Sequence, residues 1–89
     1  MKLRNGDIIT FKKEREILSS PTVPLIGLNE EMLKHINSGC IHTIESVRYY
    51  TRAGVDIFGI VDDDFGFSYA GDWVESKFTQ TQLAEDLMV

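Results

Sequence analysis

A single cysteine stands in 89 residues. Cys40 cannot close a disulfide within the chain, which excludes a disulfide-framed secreted miniprotein and suits a reducing compartment. No apolar run approaches the roughly 18 residues that a membrane span requires. The opening "MKLRNGD" has a charge at Lys2 and no apolar stretch behind it, so no secretory signal is expected and the expected location is cytoplasmic. Internal repeats and low-complexity segments are absent. Basic residues are scarce after residue 52, where Lys77 alone faces Asp56, Asp62, Asp63, Asp64, Asp72, Glu75, Glu85 and Asp86. Residues 53–89 therefore sum to −7 and residues 1–52 to +2. An acidic half repels phosphate backbones, which disfavours nucleic acid and favours a protein partner with a basic surface. The plainer alternative is a solubilising surface.

What is present supports one domain with a modest core, because 43% of the residues are hydrophobic. "NGDIITFK", residues 5–12, reads as a Gly turn followed by a strand. "KERE", 13–16, reads as a solvated charge run. "ILSSPTVPLIG", 17–27, has Pro21 and Pro24 and no clean period, so it reads as a long loop tacked down by its apolar residues. The spacing of Leu28, Met32, Leu33 and Ile36 predicts a helix over about 29–38. Asn29 would cap it, Glu30 and Glu31 sit at its positive end, and Gly39 follows its end. "CIHTIESVRYY", 40–50, is a strand whose apolar residues Ile41, Ile44 and Val47 lie three apart, which calls for a bulge or bend. "VDIFGIV", 55–61, is apolar on both faces and reads as a central strand.

"FGIVDDDFGFSYAGDWVE", 58–75, places Asp62, Asp63 and Asp64 between two strand-like runs. They read as a hairpin tip, since Asp tolerates turn dihedrals and solvates a tip. On this reading all three are dispensable for folding. "GDWVE", 71–75, reads as a short helical turn that folds Trp73 and Val74 back onto the sheet. Beyond residue 76 an acidic tail, 77–89, has capping-box spacing from Thr79 to Gln82 and Leu83/Leu87 four apart, which fits a short helix or a frayed end. The expected core is Ile9, Phe11, Leu28, Met32, Ile36, Ile44, Val47, Ile60, Phe67 and Tyr69.

Few groups carry chemistry. The triple Asp fails the calcium-loop pattern, with Gly66 and Phe67 where an oxygen donor and a glycine belong. "DFG", 64–66, matches a kinase metal-binding triplet, but the other parts of that chemistry are missing. His35, Cys40 and His42 are close in sequence but lack a fourth ligand and paired spacing for zinc. A Cys–His nucleophilic pair would lack an orienting group and an oxyanion hole. The spacing thus predicts no metal, no cofactor and no catalytic residue. Two surfaces remain as candidates. One is an acidic face of Asp62, Asp63, Asp64, Asp72 and Glu75. The other is the "RYYTR" strip with Arg48, Tyr50 and Arg52, which suits a protein interface or stacked bases, or only cross-strand packing.

In element order the chain resembles small SH3-like β-barrel proteins of bacteriophages and prophages. The resemblance rests on "NGDIITF", "GLNEEMLKHINSGCIHTIESV" and "FGFSYAGDWVE", and covers roughly residues 3–76. It departs from the family pattern at Tyr69, where Trp is usual, and at Trp73, where Met or Leu is usual. It implies a mainly β fold with one α-helix: an antiparallel SH3-like barrel of four to five strands in a single domain, 1–76. By analogy it implies a non-enzymatic protein-binding module, a phage accessory protein that inhibits or redirects a host protein in the host cytoplasm through an acidic, DNA-mimicking face. A nucleic-acid-binding barrel and a minor phage structural or assembly protein are the alternatives.

Overall fold

A computed structural model describes residues 2–79. The elements in chain order are β1 (Ile8–Phe11), α1 (Glu14–Leu18), α2 (Val23–Ile26), α3 (Glu30–Ile36), β2 (His42–Tyr50), β3 (Val55–Ile60), β4 (Tyr69–Ala70), a 3₁₀ turn (Gly71–Trp73) and β5 (Val74–Phe78). The five strands form one antiparallel sheet in the order β4-β3-β2-β1-β5. Among the described residues no helix is long and apolar enough to cross a membrane.

The helix expected at 29–38 is α3. The Asn29 side chain accepts from the Met32 amide at 3.0 Å, as an N-cap should. Met32 and Ile36 face the core. The bend expected in the 40–50 strand is a register shift between Ile44 and Ser46. It lets β2 pair with β1 at one end, through Thr43 and His42, and with β3 along the rest.

Several expectations need correction. The charge run and the proline segment, expected to lack helix, each hold a short one. Ile17 of α1 is buried at 1% exposure, and docking that one side chain selects a helical turn. In α2, Pro24 lies in the first turn, where its missing N–H costs nothing. The helical turn expected over 71–75 stops at Trp73. Val74–Phe78 form β5 on the outer edge of β1, with Ile9 opposite Lys77, so Lys77 and Phe78 belong to the sheet and not to a tail. The hairpin after β3 is looser than expected. Only Ile57/Ala70 and Phe58/Tyr69 pair, and residues 61–68 form a loop. The rest of the tail reading, Gln82, Leu83 and Leu87 included, lies outside the described residues.

The sheet is open, because no ladder joins β4 to β5 among the described residues. It cannot be flat, however. Five flat strands would separate their edges by ~19 Å, yet three residues link Ala70 to Val74, and four virtual bonds reach at most about 14 Å. The 3₁₀ turn therefore holds the adjoining ends of the two edge strands together and curls the sheet around its core. That core contains Leu3, Ile9, Ile17, Met32, Ile36, Ile44, Phe58, Ile60, Tyr69, Ala70, Trp73 and Val74. All ten expected core residues lie in it or pack against it.

Candidate functional site

The loop 61–68 is built around one carboxylate. Asp63 is 7% exposed, and its side chain accepts from the Phe65 amide at 3.0 Å, the Phe67 amide at 2.9 Å and the Tyr69 hydroxyl at 3.4 Å. The chain wraps Asp63 as an Asx-type turn. Gly66 makes the reversal at φ +70°, a region that L side chains rarely adopt. In place of the expected solvated tip, the Asp63 carboxylate is buried and satisfies two backbone amides of the loop. Burial, followed by the charge and hydrogen bond of Asp63, pushes the Tyr69 phenol well above the ordinary tyrosine range.

The same wrapping turns two side chains outward. Phe65 is 65% exposed and stacks on Phe67 with ring centroids 5.5 Å apart, and Phe67 in turn packs on the core. Asp64 is exposed beside it. The loop thus presents an aromatic ring and a carboxylate on a fixed frame.

Asp62, at the base of the loop, reaches a different group. Its carboxylate lies 3.0 Å from Nδ1 of His42 and 3.4 Å from Nδ1 of His35. His42 opens β2 and its side chain is 1% exposed, while His35 lies on the last turn of α3. Nε2 of His42 sits 3.1 Å from the His35 carbonyl oxygen. Three donor atoms, one from each of His35, His42 and Asp62, lie within 4.8 Å of one another. The expectation of no metal rested on sequence neighbours. Folding brings the Asp62 carboxylate, 20 residues beyond His42, to 3.0 Å from its ring, a juxtaposition that no local motif reveals. Cys40 does not join the group; it is exposed and its thiol faces the Ser38 carbonyl.

Asp72 is also committed internally. It accepts from the Ser20 hydroxyl and from the Thr22 hydroxyl at 3.1 Å, while Trp73 Nε1 donates to Thr22 at 2.8 Å. This knot fastens the α1–α2 connection to the 3₁₀ turn, and no local pattern announces it because its halves lie some 50 residues apart. Glu75 is exposed on β5. The five-residue acidic face is therefore not a common solvent surface, since Asp63 is buried and Asp72 is engaged by hydroxyls. Asp64, Glu75 and half-exposed Asp62 remain accessible. On the second candidate surface, Arg48 and Tyr50 line a groove of about 500 Å³ with Leu25, Ile26, Tyr49, Ile57 and Ser68. Arg52 lies in the exposed turn after β2, outside that lining.

No family model, no curated protein and no solved structure matches this chain.

Proposed function

We propose that the protein is a non-enzymatic protein-binding module whose contact surface is the loop 61–68. The observation that carries this reading is the exposed Phe65 held on an internally braced loop. Exposing a Phe ring to water is unfavourable by roughly 1.5–3 kcal/mol relative to burial, and a loop already ordered by Asp63 gives up little further entropy when a partner covers it. An aromatic anchor beside accessible carboxylates fits a partner with an apolar pocket and a basic rim.

The SH3-like assignment belongs to the same proposal. It is supported by the order β4-β3-β2-β1-β5, in which the last strand returns beside the first, and by the tight turn joining the two edges. With the sequence resemblance to small barrel proteins of phages, the reading becomes an accessory protein that inhibits or redirects a host protein. The groove at Arg48 and Tyr50 is the second surface to test.

The test is capture from a bacterial lysate on the immobilised protein, with wild type, Phe65→Ala and Tyr50→Ala compared. Phe65→Ala is expected to fold like wild type and to lose its partner by about 10-fold or more, a hot-spot-sized loss. Equal capture by wild type and Phe65→Ala overturns the loop as the contact. Tighter binding to immobilised nucleic acid than to any captured protein overturns the module reading itself.

A further inference from the structure

We infer that His35, His42 and Asp62 form a binding site for a divalent transition-metal ion of the zinc class, clamping the base of the loop 61–68 to the end of α3. The first support is spacing. A tetrahedral ion with bonds of ~2.0–2.1 Å to nitrogen and oxygen needs donors about 3.4 Å apart. Asp62 Oδ2 already lies 3.0 Å from His42 Nδ1 and 3.4 Å from His35 Nδ1. The remaining separation, between the two histidines, is within 4.8 Å. His35 sits at the partly exposed rim with 23% of its side chain accessible, so closing that separation to about 3.4 Å is a side-chain movement that metal binding would require.

The second support is the proton inventory of His42. Its Nε2 lies 3.1 Å from the His35 carbonyl oxygen, which can only accept, so this contact is favourable in the tautomer with the hydrogen on Nε2. Ser38 Oγ lies 3.4 Å from the same Nε2 and 2.8 Å from the same carbonyl, so it can accept from Nε2 while donating to the carbonyl. In a neutral ring Nδ1 is then a lone pair, and it is aimed at a carboxylate 3.0 Å away. Two acceptors facing each other require a cation between them or a second proton on the ring. A ligand histidine whose other ring nitrogen donates to a backbone carbonyl is the usual outer-shell arrangement of metal sites. The His35 side chain also projects from the last turn of α3, whose negative end favours a nearby cation. Two imidazoles select a borderline ion such as Zn²⁺ or Co²⁺ over Mg²⁺ or Ca²⁺, which prefer all-oxygen sites. Three protein ligands leave a fourth position for water or for a donor from a partner.

The test is titration of the full chain, stripped with a chelator, with Zn²⁺ by calorimetry and with Co²⁺ by its visible ligand-field absorption. One equivalent is expected to bind, Zn²⁺ to displace Co²⁺, Mg²⁺ and Ca²⁺ not to compete, and Zn²⁺ to raise the melting temperature. His35→Ala and Asp62→Asn, both at accessible side chains, should each weaken binding by more than about 10-fold with an unchanged circular dichroism spectrum, and Cys40→Ser should leave binding unchanged. His42 is buried, so its part is read without replacing it, from the nitrogen NMR signals of its ring on adding Zn²⁺. Absence of one-equivalent binding overturns the site, as does binding that survives both His35→Ala and Asp62→Asn. A His42 ring protonated on both nitrogens with one equivalent of Zn²⁺ present also overturns it, and makes the group an ion pair only. These readouts are independent of Phe65-dependent capture, so the two proposals stand or fall separately.

Discussion

The carboxylate of Asp63 takes hydrogen bonds from two backbone amides and the Tyr69 hydroxyl, whereas Asp64, one residue on, faces solvent. Removing a charged acceptor strands its donors, so Asp63→Ala should cost on the order of 2–4 kcal/mol. Asp64→Asn should stay within about 0.5 kcal/mol. Urea unfolding of the two variants checks this, and equal costs would count against the braced loop. Tyr69 gives a pH signature. Its folded pKa is raised above the unfolded value, so its contribution to stability is full below roughly pH 10 and is lost as pH rises beyond that. Stability measured by urea at about pH 7 and about pH 11 should therefore fall more steeply in wild type than in Tyr69→Phe. Parallel losses in the two proteins would contradict the assignment.

Among the elements, the 3₁₀ turn has the largest consequence for its size, because it joins the two edges of the sheet. Gly71 begins it where a Cβ would meet the Asp56 carbonyl oxygen at 3.3 Å and Leu3 Cδ1 at 3.6 Å. The first neighbour is backbone of β3 and yields little. Gly71→Ala should therefore destabilise the protein by about 1–3 kcal/mol, as overpacking does, with a β-rich circular dichroism spectrum retained below the melting temperature. A variant as stable as wild type would show that this junction has slack. Elsewhere, α3 depends on its own cap and stripe, while α1 and α2 depend on what they touch. A five-residue helix cannot stand alone; α1 is held by Ile17 in the core, and the Ser20–Thr22 knot with Asp72 holds the connection that follows.

At the scale of the whole molecule, the curled sheet gathers the ends of α3, β2 and β3 at one place and sets the loop 61–68 beside them. The sequence by itself determined the elements whose signals are local. Asn29 and the Met32/Ile36 spacing specified α3; the three-residue spacing of Ile44 and Val47 specified a bend in β2, although Ile41 faces solvent and His42 is the buried residue at that end; and the apolar pattern marked ten residues that lie in the core or against it. Each signal lies within one turn or one strand, where periodicity and capping act. Only the tertiary structure decided the rest. Val74–Phe78 became a strand because β1 offers it an unpaired edge, a partner more than 60 residues away. Asp63 turned inward because Tyr69 and two amides converge on it, although its triplet looks the same as any solvated tip. His35, His42 and Asp62 met because the end of a helix, the start of a strand and the base of a loop close on one point. A polar side chain carries no period that reveals its partner, so its role is set by what the fold brings within about 3 Å of it.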